Sequence, residues 1–301
     1  MSLRRRDNTA TGNNGLGKET VLQLVKHQPK QIFLAARTPS KAESAISDIK
    51  AAVPDSPVTF LKLDLSSFAS IRAAAMVFLS QADRLDILIN NAGIAAVPYS
   101  RTEDGYEIQF GTNHVGHALL TKLLLPMLLK TAEQPGSDVR VINVSSKGHA
   151  FAPKTGIVYD QDALESYGAF TRYGNSKLAN ILHARELQKR HPSITAAAIH
   201  PGVIITGIYD TFKTGWFPGA GLILSAASVI GSYGIIPDLC DVSKGTHSQL
   251  WAATAPKETV RTSPYWVPVG VKSAGSNQAQ DQKMAEELWK WTEGEFAKYG
   301  I

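Results

Sequence analysis

A doubly wound α/β fold, with a parallel sheet covered by helices on both faces, is what three features of the chain predict. Apolar strand-like runs alternate with helical patterns over most of its length, which implies right-handed crossovers and parallel strands. The residues just after those runs are polar or glycine-rich: Arg37, Asp64, Asn90-Asn91-Ala92-Gly93, Ser145-Ser146 and His200-Pro201-Gly202. Such sheets bind ligands beyond the carboxyl ends of their strands, so five such places at one end favour a shared cleft. Finally, Gly12-Asn13-Asn14-Gly15-Leu16-Gly17 precedes a helix beginning near Lys18, the arrangement that lets backbone approach a pyrophosphate at a helix N-terminus. With no internal repeat or low-complexity linker, the pattern reads as a single domain.

In chain order, Gln31-Ile32-Phe33-Leu34-Ala35 reads as a buried strand. A helix follows, opened by Ser40 with Glu43 three residues later, a capping-box spacing. Val58 to Leu63 is the next strand, and a helix runs from about Ser67 to Leu79. Asp86 to Asn90 is a strand, Glu103 to Lys130 a long helical region, and Val139 to Val144 another strand. An irregular insertion then leads to a helix through Arg172 to Leu182, and Ser193 to Ile199 gives one more strand.

The strand that should deliver the chain to the glycine loop is anomalous. Arg4-Arg5-Arg6-Asp7-Asn8-Thr9-Ala10-Thr11 lacks the apolar, β-branched character of a central parallel strand. Either a polar strand is tolerated, the first strand is missing or degenerate and leaves a hole, or residues 1–11 are an atypical, truncated or mis-joined N-terminus to a domain spanning 12–301. Twenty residues after Gly17, Arg37 closes the next strand. An acidic residue there would select an unphosphorylated ribose, whereas an arginine suits a 2′-phosphate, so the reading favours NADP over NAD.

On the helix through Arg172 to Leu182, Tyr173 and Lys177 lie four apart and share a face. An ammonium beside a phenol favours the phenolate and equips the tyrosine to exchange a proton with a substrate oxygen. Spacing alone is weak evidence, because Tyr209 and Lys213 repeat it.

Composition narrows the classes. Of 301 residues 44% are hydrophobic and 19% charged, as in ordinary globular proteins. The net charge of +5 is not gathered into a basic face, which argues against nucleic-acid binding. One cysteine, Cys240, excludes an intrachain disulfide and offers no metal-ligand spacing, and a reducing, cytoplasmic setting is expected. No secretory leader is evident. Phe217 to Pro237 carries glycines, serines and Pro218, which suits a covering segment better than a membrane span. No firm membrane anchor is expected, although mitochondrial or membrane-surface association stays open.

Taken in order, Asn90-Asn91-Ala92-Gly93, Asn113-His114-Val115-Gly116-His117, Asn143-Val144-Ser145-Ser146, Tyr173-x-x-x-Lys177 and His200-Pro201-Gly202 give the chain a resemblance to the short-chain dehydrogenase/reductase family. It resembles most the branch of retinol dehydrogenases and fungal light-induced alcohol dehydrogenase-like proteins. The resemblance implies a Rossmann-like fold and an oxidoreductase using NADP(H) on alcohols or carbonyls. It implies that Tyr173 is the acid/base, Lys177 its pKa-lowering partner and ribose ligand, Ser146 the substrate-oxygen donor, and Asn113 the support of a proton-relay water. It further places Gly12, Gly15, Leu16, Gly17, Arg37, Asp64, Asn91, Lys122, Val203 and Thr206 around the cofactor; His114, His117 and His200 lack an acidic partner at metal-ligand spacing and read as structural. Against the family fingerprint, Thr11 stands where a glycine belongs and Ala10 where a threonine belongs. The resemblance also implies a homodimer or homotetramer paired through helices including that of Tyr173.

Residues 207–237, with Trp216, Phe217, Leu222, Ile223, Leu224 and Ile230, read as an apolar substrate lid, and hence a small lipophilic substrate. The same apolar residues could instead pack on the core or on a partner subunit. The rival of another class is a catalytically impaired or regulatory nucleotide-binding protein of the same fold, motivated by the irregular first strand and glycine loop.

Overall fold

The computed structural model of the chain describes residues 7–11, 15–203 and 242–301. Gly12, Thr206, the lid residues 207–237, Tyr209, Lys213 and Cys240 lie outside them. The described chain runs β1 (Asp7–Thr11), α1 (Gly15–Val25), β2 (Gln31–Ala36), α2 (Pro39–Ala52), β3 (Val58–Lys62), α3 (Phe68–Gln81) and β4 (Ile87–Asn90). It continues with α4 (Ile108–Ala132), β5 (Arg140–Val144), α5 (Ala169–Arg190), β6 (Thr195–Ile199), α6 (Val242–Thr254), β7 (Tyr265–Val267), β8 (Val271–Lys272) and α7 (Gln282–Ala297).

One eight-stranded sheet results, ordered β3-β2-β1-β4-β5-β6-β7-β8. All pairings are parallel except β7 with β8. The order reverses between β1 and β4, which creates the switch-point crevice beyond their carboxyl ends.

The first strand is neither missing nor a hole. Residues Asp7–Thr11 pair with β2, and Asn8, Thr9 and Ala10 pair with Ile87, Leu88 and Ile89 of β4. A parallel ladder is made by main-chain N–H and C=O groups, and this run contains no proline to interrupt it, so polar side chains do not prevent pairing.

Alternation along the inner strands sorts side chains into two cores. Ile32, Leu34, Ile87, Ile89, Ile142, Ala197 and Ile199 pack with α1, α2 and α6. Phe33, Ala35, Leu88, Val141, Ala196 and Ala198 pack with α3, α4, α5 and α7. Helix α4 is long and apolar enough by composition to cross a membrane, yet Leu119, Leu120, Leu124 and Leu128 are buried in this second core. The outer side of α5 carries α7 of the same chain, fastened by Lys189–Glu286 and by Gln282 donating to Glu186.

Two local expectations change. Helix α2 begins at Pro39 after Thr38, with no side-chain cap bond. Proline at the first helical position starts the helix ahead of Ser40, which moves the Ser40–Glu43 pair inside the first turns, where it cannot close a capping box. The long helical region starts at Ile108, where the Glu107 carboxylate accepts from Phe110 N at 2.7 Å.

Arg140 is a fully buried guanidinium at the head of β5. It pairs with Asp138 at 2.7 Å and donates to the carbonyls of Ala252 at 2.8 Å and Ala255 at 2.6 Å, tying the sheet to the end of α6. Arg140→Met strands a buried carboxylate and two carbonyls, so denaturant unfolding should show a loss of about 3–5 kcal/mol.

Candidate functional site

Helix α5 carries Tyr173 and Lys177 along the carboxyl end of β5. Lys177 is 3% exposed, and its Nζ donates to the Val144 carbonyl at 2.9 Å, at the last residue of that strand. Burial disfavours the ammonium and pulls its pKa down to about 8. Nζ stands 5.7 Å from the centroid of the Tyr173 ring, as the four-residue spacing requires. Asn180 Nδ2 reaches the same Val144 carbonyl at 3.2 Å, and Ser145 Oγ donates to the Lys177 carbonyl at 2.7 Å. The strand end and the helix are thereby locked in register.

Ser146 is brought to Tyr173 by the short helical turn Lys147–Phe151, which it caps by accepting from Gly148 N at 3.0 Å. A Cβ on Gly148 would fall 2.8 Å from Tyr173 Cε1 and 3.3 Å from Ser146 Oγ. The missing side chain is what allows the hydroxyl and the ring to flank one point. A Cβ on Gly93, in the loop after β4, would similarly lie 3.1 Å from Asn113 Oδ1 and 3.3 Å from Lys177 Nζ. Backbone therefore lies directly against the lysine and the asparagine there.

Asn113 sits in a π-helical turn, Gly111–Val115, within α4. Its side chain accepts from Ile94 N at 2.8 Å and donates to Ile94 O at 2.9 Å and Ser176 Oγ at 3.0 Å. Both amide donors are thus committed to fastening the loop after β4 onto α5. A buried amide series continues beneath: Asn90 Nδ2 donates to Thr121 Oγ1 and Asn143 Oδ1, and Asn143 Nδ2 reaches Asn180 O and His183 Nδ1. His117 Nδ1 meets the Asn113 carbonyl at 3.0 Å and His114 Nδ1 meets Asn180 Oδ1 at 3.3 Å. Burial lowers His117 to about 4 and His114 well below its ordinary value, so both rings are neutral struts.

The residues expected around a cofactor divide. Gly15 opens α1 with a positive φ of 51°, a conformation glycine adopts without penalty, followed by Leu16 and the buried Gly17. Arg37, just past β2, is exposed and has no ion-pair partner among the described residues. The Asp64 carboxylate, after β3, accepts from Ser66 N at 2.9 Å and Ser66 Oγ at 2.6 Å. Asn91 follows β4, and Val203 follows β6 at the same edge. These positions follow the carboxyl ends of β1, β2, β3, β4 and β6, on one side of the sheet. Lys122 does not join them. It lies on α4 nine residues beyond Asn113, about 13 Å along the helix, and pairs with Glu293 of α7 at 2.5 Å. There it lines a separate cavity of about 490 Å³ between α4, α5 and α7. The helical period turns that face of α4 toward α7, away from the crevice.

Several supports carried no local signal. Arg172, beside Tyr173 and 4% exposed, pairs with Glu107 at 3.1 Å and donates to the carbonyls of Val97 and Tyr167. Burial raises the Glu107 pKa even with that guanidinium beside it. Gln109 accepts from Ala96 N at 2.7 Å and donates to Ala169 O at 3.0 Å. Together they hold the Ala95–Val97 loop against the start of α5. Only the adjacency of Arg172 to Tyr173 and of Ser145 to Ser146 hinted at such roles.

Comparison with known proteins agrees with this geometry. The short chain dehydrogenase family matches residues 9–215. The short-chain dehydrogenase/reductase drtF of Aspergillus calidoustus is 40% identical over 300 residues, covering 95% of this chain and 92% of that protein. Mouse retinol dehydrogenase 12 is 44% identical over 198 residues, 65% of this chain and 60% of its own length. Among solved structures, NADPH-bound carbonyl reductase from chicken fatty liver aligns with a TM-score of 0.63 and 25% identity, over 90% of this chain and 99% of that one. With a parallel sheet reversing at β1 and β4, and with Ser146, Tyr173 and Lys177 gathered at its carboxyl edge, the chain belongs to the short-chain dehydrogenase/reductase family of oxidoreductases.

Proposed function

We propose that the chain interconverts a lipophilic alcohol with its aldehyde or ketone, using NADP(H). The observation that carries this reading is the meeting of Ser146 and Tyr173 across Gly148, with the buried Lys177 behind the ring. Bound NADP(H) would supply or accept the hydride at C4 of its nicotinamide. The remaining work falls to the chain. Ser146 Oγ accepts from Gly148 N, which leaves its own proton free to hold a substrate oxygen. Tyr173 passes the proton to or from that oxygen. Lys177 commits one of its three donors to Val144 O, leaves the others for ribose hydroxyls, and lends its charge to the phenolate.

The crevice suits the cofactor. Gly93 presents bare backbone beside Lys177, and α1 aims its N-terminus at the switch point. Arg37 supports the phosphorylated nucleotide, being exposed beyond β2 with its guanidinium uncommitted to ion pairs among the described residues. The apolar substrate class draws on Phe151 and Phe170, 60% and 50% exposed, whose rings meet edge-on at 6.3 Å near Tyr173. Retinol dehydrogenase 12, whose name specifies a lipophilic alcohol, points the same way.

Assaying NADPH-dependent turnover against a panel of lipophilic carbonyls tests the reading. Tyr173→Phe should reduce kcat by about 10²–10⁴-fold, and a variant keeping more than roughly a tenth of wild-type turnover removes the acid/base role. Arg37→Asp should weaken NADPH binding by about tenfold to hundredfold and leave NADH binding little changed, since hydrogen bonds to a charged group are worth about 1.5–3 kcal/mol; parallel titrations with the two nucleotides check it. Burial lowers the Lys177 pKa, so its proton is lost near 8 instead of 10.5 and the neutral amine prevails above. Reductive kcat/KM should therefore fall as pH rises through about 8, and Lys177→Arg, which stays charged, should move that limb upward.

A further inference from the structure

Gln249, on α6, is fully buried and touches two other elements of the crevice. Its Nε2 donates to Asn91 Oδ1 at 2.7 Å, just past the end of β4. Its Oε1 accepts from Thr20 Oγ1 at 2.7 Å, on α1. The same threonine hydroxyl lies 2.7 Å from the carbonyl of Leu16, in the turn opened by Gly15. Thr20 is itself fully buried. One amide side chain thus spans from the glycine turn of α1 to Asn91, the two walls of the switch-point crevice, from 158 and 229 residues away in sequence.

Apolar packing also joins α1 and α6 at this place. Val21, Leu24, Ala252 and Ala253 close the α1–α6 contact with apolar side chains. A polar bridge inserted into that contact adds direction, not area: it sets how far Asn91 stands from the first turn of α1. We propose that Gln249 is a positioning residue for the nicotinamide cofactor, fixing the width of the crevice by holding Asn91 and α1 at one separation. The inference rests on the cofactor-binding reading above. It separates binding from chemistry, because the two hydrogen bonds of Gln249 run to Asn91 and to Thr20 of α1, which border the nucleotide's path.

Gln249→Leu removes both bonds with little change in volume. NADPH titration should show Kd raised by about tenfold, while kcat at saturating NADPH stays within about threefold of wild type and the substrate KM does not move. Thr20→Val breaks only the α1 side, should raise Kd less, and should be non-additive with Gln249→Leu in the double variant. A Kd within twofold of wild type in Gln249→Leu, or kcat falling in step with affinity, overturns the inference. So does a lower melting temperature with unchanged Kd. If Gln249→Leu does not fold, Thr20→Val decides, and an unaltered NADPH Kd in that variant is equally fatal. Wild-type protein that binds no NADPH sinks the parent reading; wild-type binding with unaltered variants sinks this one alone.

Discussion

The hydrogen bond from Lys177 Nζ to the Val144 carbonyl is the contact on which the site depends. A buried ammonium is costly, and burial has already drawn this one down to about 8. What keeps it in place is a carbonyl at the very end of β5, on the last residue of that strand. Asn180 shares that carbonyl, and Ser145 returns a bond to the backbone of Lys177. Helix α5 is therefore registered on the sheet by three polar contacts within a few residues. Tyr173, one turn earlier on the same face, inherits its position from them.

The same economy extends outward. Side chains that resemble catalytic donors are in several cases scaffolding: Asn113 has both amide protons engaged, and His114 and His117 are neutral. Of the three, Asn113 fastens the loop after β4 to α5, beside the point where Gly93 brings backbone up to Lys177. Asn113 sits in a π-helical turn, Gly111–Val115, a rare local form of helix. Arg172 and Glu107 do the corresponding work at the start of α5 with a buried ion pair.

Much of this was legible. The alternation of apolar runs and helical periods located β2 to β6 to within a residue or two, because inner parallel strands are continuously apolar and amphipathic helices are not. The pair Tyr173–Lys177 was visible because helical spacing is a local rule, and Ser146 because it follows a strand-like run and matches the family motif. Ser40 and Glu43 misled because Pro39 began the helix first. Lys122 misled because a lysine's placement depends on which way its helix is rolled, and α7, far along the chain, supplies its partner Glu293. The polar residues 7–11 misled because hydrophobicity reports on side chains, whereas ladder pairing is a property of the backbone.

By itself, the sequence determined the class of fold, the shared helix face of Tyr173 and Lys177, and the end of the sheet at which the polar motifs gather, since each follows from residue type at short spacing. Tertiary structure alone decided which polar groups meet. Gln249 finds Asn91 and Thr20, Arg140 finds Ala252 and Ala255, and Asn113 finds Ser176 only after the strands have been ordered β3-β2-β1-β4-β5-β6. Hydrogen bonds require angstrom proximity, and no periodicity in the chain encodes proximity between residues 20, 91 and 249.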